Sequence, residues 1–274
     1  MSGKTPILCI IGPTASGKSG RAVERAKERD GEIISVDSRQ VYTTLDIGTE
    51  KISAEEMDGI PHHLIDIRDP KDSYSAGDFV IDAERLIKEI SDRGKLPILA
   101  GGSHFYFDAL LNGLPKDTPM NYELRSNLEK LSDAQLFSEI KRQDPERAEV
   151  IDPNNRRRLV RALEIINQHG SVPKRTDPGS YDVVFEILLP ERDVLRERIE
   201  ARLADALARG LVDEVQRVRE YVGDERLNEL GLEYKIVGEY LRGERDEATL
   251  LPALCAKLFQ YARRQEAWIR KLTA

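Results

Sequence analysis

Cysteine is nearly absent from this 274-residue chain: there are two, Cys9 and Cys255, far apart and with no CxxC pair or Cys/His cluster around either. That argues against a disulfide framework and against a structural zinc site. Cys9 stands inside an apolar run and reads as a small core residue rather than a reactive thiol. Also missing is any apolar stretch near the roughly 20 residues that a bilayer-spanning helix needs. The N-terminus lacks the basic and then apolar layout of a secretory signal, so a cytoplasmic location and no membrane contact are expected. Aromatic residues make up only 6% of the chain, with one tryptophan, and no internal repeat or low-complexity tract is present. Positive charge is in deficit. The formal net charge of -7 argues against indiscriminate binding of nucleic acid and leaves any such role to local basic patches.

What the chain does have is a strong local motif. Gly12-Pro13-Thr14-Ala15-Ser16-Gly17-Lys18-Ser19 follows the apolar run Ile7-Leu8-Cys9-Ile10-Ile11 and precedes a helix-compatible stretch from Gly20 to Arg29. This is the pattern of a phosphate-binding loop. Its glycines let successive backbone N–H groups curl around phosphate oxygens, and the following helix adds its positive dipole end. Lys18 can reach the terminal phosphate, and the Ser19 hydroxyl can ligate magnesium. The alternative, a glycine-rich strand-to-helix turn with no ligand, must account for three fixed positions and the strand before them. A diphosphate or triphosphate ligand is expected, with ATP or another nucleotide among the candidates.

Further apolar runs, Glu32 to Val36, Leu96 to Ala100 and Val183 to Leu189, alternate with helix-patterned segments. The alternation predicts an α/β fold: a P-loop NTPase-like parallel sheet core flanked by helices on both faces. The run Leu96 to Ala100 feeds into Gly101-Gly102-Ser103, a second strand end that can face a ligand. Between Leu114 and Pro178 strand signals are scarce, while Tyr122 to Leu131 and Arg156 to Gln168 carry apolar residues at helical spacing. The expected organisation is a catalytic core from 1–114 and 179–274 and a helical insertion from 115–178. The exit of the insertion, Gly170 to Gly179, is rich in helix breakers and is expected to be mobile. Long charged helices follow, Asp193 to Arg209 and Leu250 to Leu272, with interruptions at Gly231 and Gly243.

A phosphate loop of this kind needs a carboxylate at a neighbouring strand end, to hold magnesium or to accept a proton from a nucleophile. Asp37, closing Glu32-Ile33-Ile34-Ser35-Val36-Asp37, supplies one; its plain alternative is the N-cap of a following helix. The combination decides. Asp37-Ser38-Arg39-Gln40-Val41-Tyr42, Leu45-Asp46-Ile47-Gly48-Thr49 and Ile60-Pro61-His62-His63-Leu64-Ile65-Asp66, set beside Gly12 to Ser19, resemble the tRNA dimethylallyltransferase family. The likeness runs on through Tyr74-Ser75-Ala76, Lys95-Leu96-Pro97-Ile98, Gly101-Gly102-Ser103, Asp152 to Arg158, Arg161-Ala162-Leu163-Glu164 and Arg263-Arg264-Gln265. It spans nearly the whole chain. The end of the chain soon after Trp268, without the zinc-finger extension of eukaryotic relatives, fits the bacterial type.

The resemblance implies transfer of a dimethylallyl group from its diphosphate to N6 of the adenosine at position 37 of tRNA, next to the anticodon, using magnesium (Mg2+). Gly12 to Ser19 would then hold the diphosphate of an isoprenoid donor, with Thr14, Lys18, Ser19 and the metal stabilising the leaving group. Asp37 matches the family's general base, Ser103 stands where the family usually has threonine, and Arg202 matches an arginine on the pyrophosphate. Residues implied to contact tRNA are Asp37, Ser38, Arg39, Gln40, Ser103, Arg125, Arg157, Arg158, Arg161, Arg263, Arg264 and Gln265. Arg156, Arg157, Arg158 and Arg161 form a basic cluster whose alternative is a solvated helix face. The expected partners are the anticodon stem-loop of tRNA and dimethylallyl diphosphate, with the enzyme a monomer. Leu96 to Ala100 ends in glycines rather than in the aspartate of a Walker-B ATPase, which counts against phosphoryl transfer.

Two departures and two alternatives remain. His104 follows Ser103 where the family usually has glycine, adding bulk and a titratable group near the expected reaction channel. Leu230-Gly231-Leu232-Glu233-Tyr234-Lys235 matches the family's glycine-tyrosine element only loosely and receives no role. His62 and His63, expected in a loop, have no carboxylate or cysteine at zinc spacing and read as hydrogen-bonded histidines; Trp268 reads as a packing residue. The alternatives are an isopentenyltransferase acting on free adenine nucleotides, and a nucleotide-dependent kinase or binding protein that kept only the loop.

Overall fold

The computed structural model describes residues 4–114, 121–172 and 181–272. β1 (Thr5–Ile11) leads through the phosphate loop into α1 (Lys18–Arg29), which returns to β2 (Gly31–Val36). α2 (Ala54–Met57), the short strand β3 (His62–His63) and α3 (Ala76–Asp92) precede β4 (Leu96–Gly101) and α4 (His104–Asn112). α5 (Tyr122–Leu128), α6 (Asp133–Gln143), α7 (Pro145–Val150) and α8 (Arg156–His169) follow. The chain then returns to β5 (Tyr181–Ile187), α9 (Arg192–Ala208), α10 (Leu211–Leu227), α11 (Leu232–Leu241) and α12 (Glu247–Leu272).

These elements fall into two compact units, Met1–Leu111 with Gly179–Ala274, and Asn112–Pro178. The expected boundaries at 114/115 and 178/179 border or fall on residues outside those described, as does most of the expected mobile exit, residues 173–179.

In the first unit five parallel strands pair in the order β3-β2-β4-β1-β5. Successive strand residues point to opposite faces. Leu8, Ile10, Ile33, Ile98 and Ala100 therefore meet Ala22, Val23 and Ala26 of α1 on one face. α3 lies against β2 and β4 and contributes the buried Phe79, Leu86, Ile87 and Ile90. Cys9 is fully buried, and burial pushes its thiol up to about 12, as befits a core residue. The parallel sheet flanked by helices is as expected; at its edge β5 mixes half-buried and exposed residues, and Val184 is 53% exposed. His62 and His63 lie in an edge strand rather than a loop because their backbone pairs with Ile33 and Ile34. Their rings are hydrogen-bonded as expected, His62 to the Ile60 carbonyl and His63 to Glu32, each at 2.8 Å.

The C-terminal helices break at more places than Gly231 and Gly243. Gly210, with φ of 95°, starts α10, and Gly223 kinks it with φ of 80° and ψ of 166°. The charged, nearly continuous helical pattern hid both, since an isolated glycine within such a pattern is a weak stop.

Among the described residues the second unit's regular elements are helices. Leu128, Leu136, Ile140, Ile151, Leu159, Leu163 and Ile166 form its core. Ser132 and Asn155 cap α6 and α8 by accepting backbone N–H groups of the first turn, which offsets donors the helix itself cannot satisfy.

Candidate active site

Three strand ends meet at one point. Gly101 of β4 lies opposite both Ile11 of β1 and Val36 of β2. From β1 the chain leaves toward β2, whereas from β4 it goes on toward β5 on the other side. Connections that part in opposite directions leave a crevice at the carboxyl ends of their strands, and the phosphate loop, Asp37 and Ser103 are the residues that follow those ends.

The loop itself has the required curvature. Ala15 and Gly17 both take left-handed backbone conformations, with φ of 60° and 88°, turning successive N–H groups toward a common concavity. Lys18 closes over it, donating to the Pro13 carbonyl at 2.6 Å. Burial pushes the Lys18 ammonium down to about 8; Asp37 opposes that shift and Arg202 adds to it. From α12, Gln265 reaches in: its Oε1 accepts the Thr14 N–H at 2.9 Å and its Nε2 donates to the Gly102 carbonyl at 2.8 Å. From α9, Arg202 donates through Nη1 to the Thr14 hydroxyl at 2.6 Å and through Nη2 to Glu233 at 3.2 Å.

Asp37 caps no helix. Its Oδ1 accepts the N–H groups of Arg39 at 2.8 Å and Gln40 at 3.4 Å, an aspartate-stabilised turn that fixes the carboxylate at the strand end. Ser103 accepts the N–H of Ser38 at 3.0 Å, joining the β2 and β4 exits. Two adjoining hollows share Thr14, Lys18, Asp37, Gly102 and Arg202 as walls. The larger, about 860 Å³, runs over the start of α1 past Ser19, Ser35 and Gln40. The smaller, about 200 Å³, is bounded by Ser103, Glu233, Tyr261 and Gln265. A carboxylate on the wall between an anion cradle and a second compartment can take a proton from a nucleophile in one while an electrophile is held in the other.

Among the described residues no group of three or more His, Cys, Asp or Glu could hold a metal. Ser19 and Asp37 line the same large hollow. One hydroxyl and one carboxylate beside an anion cradle suit magnesium, which keeps waters and takes phosphate oxygens as ligands, and do not suit zinc.

Residues 40–272 match the family model described as IPP transferase. The chain belongs to the IPP transferase family. The tRNA dimethylallyltransferase of Halalkalibacterium halodurans is 39% identical over 278 residues, covering 97% of this chain and 88% of the relative. A crystal structure of full-length tRNA isopentenylpyrophosphate transferase from Bacillus halodurans superposes with a TM-score of 0.74 at 40% identity, covering 97% of this chain and 87% of that one. A eukaryotic dimethylallyltransferase acting on tRNA, captured in crystallographic snapshots, gives a TM-score of 0.85 at 29% identity over 97% of this chain and 70% of its own. No helix among the described residues is long and apolar enough to cross a membrane.

The expected site residues of this IPP transferase fall into two sets. Gly12 to Ser19, Asp37, Ser38, Arg39, Gln40, Ser103, Arg202 and Gln265 belong to the first unit and, apart from the loop positions Gly12, Pro13 and Ser16, line one or both hollows. Gln265 is only 3% exposed, its amide engaged with Thr14 and Gly102. Arg263 and Arg264 are exposed on α12, with the Arg264 guanidinium 5.9 Å from the Tyr261 ring centre. Arg125, Arg157, Arg158 and Arg161 belong to the second unit. There Arg161 donates to the buried Glu164 at 3.1 Å, and Arg125 lies 3.9 Å from the same carboxylate. Arg156 bonds the carbonyls of Glu129 and Leu131 and pairs with Asp133, so it fastens the α5–α6 connection.

His104 does not project into the shared crevice. Its ring centre lies 5.4 Å from that of Trp268, and it lines a separate small hollow with Gly12, Phe107 and Ile269, because the first turn of α4 turns it toward α12. Trp268 is a packing residue as expected, also stacked on Phe107. Glu50, Glu214, Glu233, Tyr234 and Tyr261 went unassigned in the sequence. Only Glu233 and Tyr234 carried a signal, their place just after Gly231.

Proposed function

We propose that this chain transfers a dimethylallyl group from dimethylallyl diphosphate to N6 of adenosine 37 in tRNA, next to the anticodon, and releases diphosphate. The observation that carries the reading is Asp37, set on the common wall of two hollows with Thr14, Lys18 and Arg202. The phosphate loop, Lys18 and Arg202 bind the diphosphate in the larger hollow, and the smaller one takes the flipped-out base. The N6 lone pair attacks the allylic C1, the C1–O bond breaks, and its electron pair leaves with the diphosphate. Asp37 accepts the N6 proton. Lys18 and Arg202 stabilise charge that develops on the departing oxygen, which is where fixed cations accelerate the step most. Ser19 would hold magnesium, whose chemistry is to neutralise the diphosphate oxygens.

The acceptor is the anticodon stem-loop. Arg263 and Arg264 on the core, and Arg125, Arg157, Arg158 and Arg161 on the helical insertion, contact tRNA phosphates, with Ser38, Arg39, Gln40 and Ser103 placing the loop near Asp37 and Gln265 holding Thr14 beneath it. The enzyme acts as a monomer in the cytoplasm, where tRNA is. The test is mass spectrometry of nucleosides after incubating an anticodon stem-loop, the protein, magnesium and dimethylallyl diphosphate. Prenylated adenosine is expected, and Asp37→Ala should lower turnover by about 10²- to 10⁴-fold while sparing donor binding. Product from free adenine nucleotides but none from stem-loops would replace tRNA as the acceptor.

A further inference from the structure

Two side chains of the first turn of α11 serve different partners. Tyr234 donates its hydroxyl to the buried Glu214 at 2.7 Å. Glu214 also accepts the N–H groups of Asp46, Ile47 and Gly48, at 3.1, 2.8 and 3.0 Å. A Cβ on Gly48 would sit 2.8 Å from the Tyr234 ring, so only glycine lets the two segments come this close. Glu214 thus ties residues 46–48 to the start of α11, and each of those segments extends a carboxylate to Arg202. Glu50 lies 3.8 Å from Nε, and Glu233 lies 3.2 Å from Nη2. The remaining edge, Nη1, is given to the Thr14 hydroxyl of the phosphate loop.

We propose that Glu233 is a built-in competitor of the diphosphate: it occupies the Arg202 guanidinium when the anion is absent and weakens the hold on the anion when it is present. This rests on the reading of Arg202 as a diphosphate contact. Two anions then share one cation at short range in a partly dry site, where like-charge repulsion is strong. Anchoring of Tyr234 fixes the start of α11 beside Arg202, and the Glu233 carboxylate sits in the first turn of α11, where the helix dipole favours its charge. Glu233 takes the guanidinium back as diphosphate departs, which hastens product release.

The test is the affinity of the full chain for inorganic pyrophosphate with magnesium, by calorimetry at one pH and salt, for wild type, R202Q and E233Q. R202Q should bind more weakly and E233Q about tenfold more tightly, about one pair's coupling. Weaker binding by R202Q with unchanged or weaker binding by E233Q overturns the role of Glu233 and leaves the Arg202 reading standing; unchanged binding by R202Q overturns both. Should E233Q fail to fold, E233D, which keeps the charge but draws it back from Arg202, carries the same expectation of tighter binding. A second readout is the pH dependence. Arg202, Asp37, Arg39 and Tyr261 surround the Glu233 carboxylate, and burial raises its pKa while Arg202 opposes. The wild-type to E233Q ratio of dissociation constants, in which titration of the anion and of Lys18 cancels, should shrink as pH falls and Glu233 gains a proton. A ratio independent of pH argues against competition by its charge.

Discussion

Lys18 is both the best-marked residue of the motif and the one whose behaviour the motif hides. Its spacing from Gly12 announces a phosphate, yet burial holds its ammonium down to about 8 from an ordinary value of 10.5. The sign of the consequence follows from linkage. Bound diphosphate favours the charged form and raises the pKa, so the free enzyme must gain a proton to bind once the pH passes about 8. Affinity for dimethylallyl diphosphate, which has no proton left to lose there, should weaken by up to about tenfold per pH unit from about 8 upward. A flat profile in binding measurements would remove the Lys18 ammonium from the anion. By the same linkage the folded state favours the neutral amine, so stability of the unliganded protein rises with pH between the folded and unfolded values. Asp37 and Arg202 were legible at this scale from the family likeness. Glu233 was not, because its meaning lies in a contact to Arg202, 31 residues away, and one glutamate in a charged helical stretch looks like any other.

At the scale of elements, the strands were legible because short apolar runs between helical segments have few other uses, and the site was legible wherever it is made of strand ends. The helices that close it were not. The role of α12 depends on Gln265, whose sequence context suggested tRNA contact while its amide is engaged by Thr14 and Gly102. Gln265→Ala would leave a loop N–H and a strand-end carbonyl without that partner, at a cost of roughly 1–3 kcal/mol. Calorimetric melting should register that loss, and donor affinity should fall because Thr14 is no longer held. An unchanged melting temperature together with loss confined to tRNA affinity would point instead to direct tRNA contact. His104 gives the same lesson: its place after Ser103 suggested the crevice, but α4 has already begun there and its first turn points the ring at Trp268.

For the whole molecule, an acidic chain that binds tRNA must keep its basic groups where they count. On α8, Arg157 and Arg158 are exposed, as is Arg161, which donates to Glu164; Arg156 is spent on the α5–α6 connection. Arg158→Ala should therefore weaken tRNA binding and reduce the slope of log affinity against log salt by about 0.7–0.9, the share of one phosphate. An unchanged slope in filter binding at several salt concentrations would take Arg158 off the phosphates. Arg156→Ala differs in kind, since its loss is one of folding; sequence alone could not separate the two, as adjacent arginines differ only in what the fold brings to them. The hydrogen bond from Thr14 to Gln265 spans 251 residues, and this sets a timetable for the protein's birth. The ribosome makes the phosphate loop well before the group that fastens it, which follows 251 residues later. A nascent chain therefore carries the recognisable motif long before the group that fastens it, and any message cut short between the two yields a protein that shows the motif and lacks its fastening.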